Sequence, residues 1–239
     1  MSLSSNRTFC CYDFETTGIN PHGCQLTQIS ALMIDAKKLT PIKNGFFNTE
    51  VRPEFDDEIA KKNGFDPVEQ KALDKTHKNK EDLLKAPLPK VAWKQFTDFI
   101  SRFNSKGDAY WAPIPVGYNI NGYDSHIVQR YASMFGPVDK NGKQKLLHQI
   151  YKVDMMDMLF SWFEHVDDIQ KLNMDYMRAY LGFPDESTKT SHDAAYDVVD
   201  TANIFIRFMK FQRAKAAATK FEKSFANTEM AIKYEDVIK

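Results

Sequence analysis

The stretch Tyr12-Asp13-Phe14-Glu15-Thr16-Thr17-Gly18 ends an apolar, aromatic-rich run with two carboxylates one residue apart. A strand sends successive side chains to opposite faces, so Asp13 and Glu15 share one face while Tyr12 and Phe14 point to the other. Like charges this close repel unless a cation sits between them. The pair is either a solvated strand end or a place to hold divalent metal ions, and further acids and a base downstream decide between the two.

Residues 8–13, 26–35 and 45–51 are rich in aromatic and aliphatic side chains, are separated by Gly, Pro and Asn turns, and read as three consecutive strands. Short connections favour antiparallel pairing. Residues 53–89 are polar and charged, with apolar residues too sparse for a long core element, and read as short helices and surface loops. Phe96, Phe99, Ile100 and Phe103 recur at helical spacing within 91–103. A short apolar strand at 114–118 leads through 119–122 into a helix at 123–135. Asn141-Gly142 among lysines suggests an exposed hairpin or loop within 137–152. Residues 153–159 read as a last strand running into a helix, and 173–181 as a helix ended by Gly182 and Pro184. A polar loop at 185–191 precedes the longest helix, 193–211, striped by Ala195, Val198, Val199, Ala202 and Phe205 or Ile206. This order predicts an α/β fold with a mixed central sheet flanked by helices.

Composition narrows the partners. With 43% hydrophobic and 13% aromatic residues the chain has ample material for a core. Its formal net charge is zero, which excludes the global basic field of a nucleic-acid coating protein and leaves a polyanion to be met by local patches and metal. Cys10, Cys11 and Cys24 are odd in number and lack Cys-x-x-Cys spacing, which argues for a reducing compartment and against zinc. No apolar run is long enough to span a membrane, and residues 1–7 lack the apolar core of a signal peptide. The expected location is cytoplasmic.

Two later stretches carry the missing acids and the base. Gly117-Tyr118-Asn119-Ile120-Asn121-Gly122-Tyr123-Asp124 runs from a strand end into a helix whose first residues include Asp124, an acid that on its own reads equally well as a capping or dipole residue. Ser191-His192-Asp193-Ala194-Ala195-Tyr196-Asp197 places His192 just before the long helix, with Asp197 five positions on and Thr201 one turn further along the same face. A histidine in that loop can swing over a metal site, although an isolated one is more often an ordinary surface residue.

In this order and on these elements, the three stretches resemble the DEDDh family of 3′-to-5′ exonucleases on the ribonuclease H-like fold. The first motif matches Asp13-Phe14-Glu15-Thr16-Thr17-Gly18, the second ends at Asp124, and the third matches His192 to Asp197. The tyrosine variant is disfavoured, because Asp193 stands where its Tyr would fall. Gly117-Tyr118-Asn119 and the spacing to Asp124 lean toward the bacterial exonuclease I branch. One departure is Thr76-His77-Lys78, where the family commonly has Thr-Gly-Ile. The resemblance implies an exonuclease domain over 1–211, with 212–239 a helical extension of the same domain. The chain is too short for the strand-encircling domains of exonuclease I, so high processivity is not expected.

The resemblance further implies that Asp13, Glu15, Asp124 and Asp197 hold two ions. All-oxygen ligands select Mg²⁺ or Mn²⁺ over zinc. Spaced ~4 Å apart, such ions would clamp the scissile phosphodiester, one activating water and the other stabilising the leaving 3′ oxygen. His192 is the implied general base. Thr16, Thr17 and Gly18 are implied to meet the terminal 3′-hydroxyl, with Asn119 and Tyr123 as further substrate-binding positions. Single-stranded nucleic acid is the expected partner, with DNA favoured over RNA and nucleoside 5′-monophosphates as products. Trp111, Tyr118 and Tyr123 are stacking candidates. The clusters Lys75 to Lys85 and Lys140 to Lys145, and the basic residues from Arg207 to Lys223, fit solvated faces better than phosphate tracks. Asp154, Asp157, Asp167, Asp168 and Asp200 are expected to be capping or polar-face acids. An exoribonuclease on the same site, or a catalytically silent nucleic-acid-binding or polymerase-associated module, are the competing readings.

Overall fold

The computed structural model describes residues 7–183 and 193–220. β1 (Thr8–Thr16), β2 (Leu26–Asp35) and β3 (Thr40–Glu50) form an antiparallel meander, followed by the short helices α1 (Asp57–Lys62), α2 (Gln70–Lys75) and α3 (Lys80–Leu83). After α4 (Pro89–Ser101) the chain returns as β4 (Ile114–Gly117), parallel to β1, and continues into α5 (Asp124–Phe135). The two-residue β5 (Val153–Asp154) pairs parallel with β4 and runs straight into α6 (Met155–Phe163). The remaining described helices are α7 (Met174–Tyr180) and α8 (Ala194–Ala218). The strand order is β3-β2-β1-β4-β5, so β1 is central and bonded on both sides.

The period of two in β1 divides the core into layers. Cys10, Tyr12 and Phe14 pack on one face against Trp93 and Phe96 of α4 and Tyr131 of α5. Phe9 and Cys11 pack on the other against Val198, Ala202 and Phe205 of α8. Each fully buried large apolar side chain contributes about 1.5–3 kcal/mol, so both helical layers are firmly anchored. Asp13 and Glu15 share the parity of Phe9 and Cys11 and therefore emerge on the α8 side.

The predicted α/β class and mixed sheet hold, and several boundaries move. β1 continues past Asp13 to Thr16 because Glu15 still pairs with Gln28; an irregularity between Glu15 and Thr16 then ends the regular ladder, as bulges beside functional sites commonly do. β3 begins at Thr40 rather than residue 45, its exposed half giving no apolar signal. The last helix continues past 211 to Ala218 without a break. The expected loop at 185–191 lies outside the described residues.

Candidate active site

Three carboxylates converge from two elements. Asp13 and Glu15 come from β1 and Asp197 from the first turn of α8, and each offers an oxygen within 4.8 Å of the others. The start of α8 is tied to the sheet. Gln28, paired with Glu15 across the β1–β2 ladder, donates from Nε2 to Asp193 Oδ1 (2.9 Å), and the same oxygen caps the helix by accepting from the Ala195 N–H (2.9 Å). Asp193 is thus the N-cap of α8.

Asp124 is delivered by the turn between β4 and α5. A Cβ at Gly117 would lie 2.1 Å from Ile120 Cγ2 and 3.1 Å from the Tyr12 carbonyl oxygen, so only glycine lets the turn fold this close to β1. Asn119 takes φ 60°, a left-handed conformation that asparagine tolerates better than most residues. Asp154, at the end of β5, then holds the turn: its carboxylate accepts from the N–H of Asn119 and of Asn121 (2.9 Å each) and from the Met156 N–H, capping α6. Asp124 is 4% exposed and its Oδ1 has no hydrogen-bond partner. It does not belong to the 4.8 Å group, but its charge acts on Asp13.

The electrostatics show what the cluster lacks. Burial, followed by the charges of Asp124, Glu15, Asp197 and Asp193, drives the Asp13 carboxyl well above its usual range. Burial and the Asp197 charge push Glu15 up to about 8. Burial pushes Asp124 to about 8, opposed by backbone hydrogen bonds, and Asp197 to about 7 with the help of Asp200. Two cations moderate this from outside. Lys78, bonded to Glu50 at 3.1 Å, lowers Glu15; Arg178, paired with Asp200 at 3.0 Å, lowers Asp197. An all-carboxylate donor set, mutual repulsion and an orphaned Oδ1 fit hard divalent cations.

Beside Glu15 lies a cavity of about 450 Å³, bordered by Thr16, Gly18, Lys75, Thr76 and Tyr123. Thr16 Oγ1, the Tyr123 hydroxyl and the Gly18 carbonyl oxygen form a tight triangle, with Thr16 Oγ1 2.7 Å from the Tyr123 oxygen and 2.9 Å from the Gly18 oxygen. This arrangement braces the turn after β1 against the start of α5.

A family model for RNase T-type exonucleases matches residues 10–205, which span all three acidic stretches and the elements that carry them. The chain belongs to this exonuclease family. The resemblance to DEDDh exonucleases stands with it, and the fold is ribonuclease H-like. No curated protein matches the chain. Among solved structures, E. coli exonuclease I in complex with a dT13 oligonucleotide aligns with TM-score 0.64 and 15% identity over 89% of this chain and 43% of that one. Cell-death related nuclease 4 aligns with TM-score 0.60 and 15% identity, over 85% and 64% of the respective chains. Exonuclease I from Methylocaldum szegediense aligns with TM-score 0.58 and 18% identity, over 84% and 40%. The chain therefore spans about two fifths of the exonuclease I chains and under two thirds of the other.

Of the site residues expected from sequence, the fold brings Asp13, Glu15 and Asp197 together and sets Asp124 at their edge. His192 lies outside the described residues. Thr17 is fully buried with its polar groups engaged: its N–H donates to the Gln25 carbonyl, its Oγ1 accepts from the Gln25 N–H, and its carbonyl accepts from Glu69. Gly18 is not in the left-handed region, and an added Cβ would lie 2.8 Å from Glu69 Oε1, the movable end of a long side chain. Asn119 serves the turn. Trp111 sits among cations, with Lys106 4.0 Å and Arg7 5.1 Å from its ring, and the Tyr118 hydroxyl donates to the Leu172 carbonyl in the α8-side layer. Asp200 is no cap: it is mid-helix, 4% exposed and paired with Arg178. Sequence reasoning missed the parts played by Gln28, Lys78 and Arg178. The only signal for Asp200 beside the site was its position three residues after Asp197.

Proposed function

We propose that the exonuclease hydrolyses single-stranded nucleic acid from the 3′ end, with DNA favoured over RNA, releasing nucleoside 5′-monophosphates. The observation that carries this reading is the convergence of Asp13, Glu15 and Asp197 within 4.8 Å beside a cavity that Glu15 itself borders. Two Mg²⁺ or Mn²⁺ ions held by these three residues and Asp124 would supply charge stabilisation for the phosphodiester and an acidified water. His192 removes the proton of the attacking water. As the water oxygen bonds to phosphorus, the bond to the 3′ oxygen of the penultimate nucleotide breaks, leaving the phosphate on the 5′ carbon of the released one.

The terminal nucleotide occupies the cavity beside Glu15. Thr16 and Gly18 border its end, and Tyr123, held by Thr16 and Gly18, lines the same cavity. In this reading Thr17 shapes the turn from beneath, since its own groups are engaged. The solved complexes of E. coli exonuclease I with dT13 and dA16 support a single-stranded ligand for the shared fold. A cytoplasmic location belongs to the same proposal; its support is that Cys10, Cys11 and Cys24 are all free thiols, and that no described helix is long and apolar enough to cross a membrane.

Matched DNA and RNA oligonucleotides labelled internally and at each end, incubated with Mg²⁺ or Mn²⁺, test the proposal. The expected result is stepwise shortening from the 3′ end, faster on DNA; equal or faster loss of RNA would reassign the substrate. Intact labelled ends with either metal would favour the silent binding module. His192→Ala is expected to lose most turnover while keeping metal affinity, and an unimpaired rate removes it as the base.

A further inference from the structure

Each acid of β1 faces a polar residue across the ladder. Ser30 of β2 stands opposite Asp13 and Gln28 opposite Glu15, and the rows continue on β3 with Asn48 opposite Ser30 and Glu50 opposite Gln28. Directly opposed residues share a face, so these polar rows lie with the carboxylates on the α8 side. Their β2 members are buried: Ser30 is fully enclosed and Gln28 is 2% exposed.

The bonds within the rows fix how Gln28 presents its amide. Besides donating to Asp193 Oδ1, Gln28 Nε2 donates to Asn48 Oδ1 at 2.9 Å, and Ser30 Oγ donates to the same Asn48 oxygen at 2.6 Å. A carboxylate only accepts, so the nitrogen must face Asp193, and the Asn48 oxygen must then face Gln28. Both amide hydrogens are used. Gln28 Oε1, in contrast, is buried without a hydrogen-bond partner, a desolvation cost that an apolar side chain of the same length would not carry. Gln28 is therefore poorly suited to stabilising the sheet and well suited to donating into α8.

The residue it holds is one hydrogen bond from a site acid. The Asp193 carbonyl accepts from the N–H of Asp197 at 3.0 Å and of Tyr196 at 2.9 Å, so Asp193 grips the backbone of Asp197 while Gln28 grips Asp193. The first turn of a helix frays unless its end is held. Asp197 lies in that turn, between this tie and the Arg178–Asp200 pair three residues further along α8. The Gln28 tie starts from the row that carries Glu15 itself. We propose that Gln28 is a positioning residue for the exonuclease reaction: by holding Asp193 it sets Asp197 at metal-binding distance from Asp13 and Glu15, with Ser30 and Asn48 orienting its amide. The proposal rests on the exonuclease reading above, in which those three acids hold the ions.

Gln28→Met keeps the length of the side chain and removes both donors. Mn²⁺ affinity, read by electron paramagnetic resonance without substrate, is expected to weaken about ten-fold, and kcat on a single-stranded oligonucleotide to fall about ten-fold or more. KM and the Tm in EDTA are expected to move little. A residue serving only the fold would give the reverse, a lower Tm with wild-type Mn²⁺ affinity in the folded chain, and that result overturns the proposal. Asp193→Ser approaches the same bond from the helix, keeping an N-cap oxygen on a shorter side chain. In its background Gln28→Met is expected to cost nothing further in Mn²⁺ affinity or kcat; losses that add show that Gln28 does not act through Asp193 and overturn the proposal as well. If Gln28→Met does not fold, Asp193→Ser is compared with Asp193→Asn, which loses the same charge but keeps the accepting oxygen. Weaker Mn²⁺ binding by the serine variant is expected, and equal affinities overturn the tie. A wild-type chain that binds Mn²⁺ but shortens neither DNA nor RNA overturns the exonuclease reading, while the Mn²⁺ comparison still tests the tie.

Discussion

Asp13 lies where burial and four neighbouring acids all disfavour its charge, so the residue most central to the proposed chemistry also works against the stability of the metal-free fold. Asp13→Asn is expected to lower turnover by on the order of 10³-fold or more, equivalent to several kcal/mol of transition-state stabilisation. The same change removes repulsion and is expected to raise the metal-free Tm by about 2–4 °C at pH 8, if about 1 kcal/mol is relieved. Activity assays and thermal melts in EDTA check the two halves; a lower Tm would mean that the carboxylate contributes stability. His77 is a second informative residue. It stands where the family commonly has glycine and adopts φ 53° while remaining exposed. The left-handed conformation costs a non-glycine residue about 1–2 kcal/mol, partly offset by the greater freedom of an unfolded glycine. His77→Gly is therefore expected to stabilise by about 0.5–1 kcal/mol in urea unfolding. Its neighbour Lys78 illustrates what sequence could not reveal: as one lysine in a charged stretch it reads as solvated, whereas pairing with Glu50 beside Glu15 gives it an electrostatic part in the site.

At the scale of elements, the site depends on how β4, β5 and α5 are joined. Asp154 accepts three backbone N–H groups from two connections and so couples the turn bearing Asp124 to the start of α6. Asp154→Ala is expected to cost about 2–3 kcal/mol in denaturant unfolding, through two turn bonds and a lost helix cap. Because Asp124 stands outside the three-carboxylate group, turnover is expected to drop by about ten-fold or more while Mn²⁺ affinity changes less. Equal losses in both would show that the turn supports metal binding directly. Sequence identified Asp154 as a capping acid, which it is, but its bonds to Asn119 and Asn121 span more than thirty residues and leave no local pattern. The alternation in β1 was fully legible, because a period of two is a property of the strand alone. The position of Gln28 opposite Glu15 was not, since the loop between β1 and β2 is too long for turn type to set the register.

Across the whole molecule, the carboxylates link folding to pH and to metal. Glu15 and Asp124 rise to about 8 and Asp197 to about 7 in the folded state, against about 4 for unfolded carboxylates. The folded chain thus holds more protons than the unfolded one between these limits, so stability is greatest below about pH 4 as far as these groups are concerned and falls as pH rises toward 8. A divalent cation that binds only the folded, ionised cluster opposes that loss. In EDTA the Tm is expected to decline between pH 5 and pH 8, and Mg²⁺ or Mn²⁺ is expected to restore more of it at pH 8 than at pH 5; equal metal effects at both would separate the ions from these carboxylates. The sequence by itself determined the α/β class, the face on which Asp13 and Glu15 emerge and the elements that bear Asp124 and Asp197, because periodicity, strand parity and helix starts are local. Only the tertiary structure decided that Asp13, Glu15 and Asp197 meet within 4.8 Å while Asp124 stands at their edge, that Thr17 is spent on Gln25, and that Gln28, Lys78 and Arg178 surround the cluster. Those facts depend on strand register and on the angle at which α8 crosses β1, which are set by packing across the whole sheet.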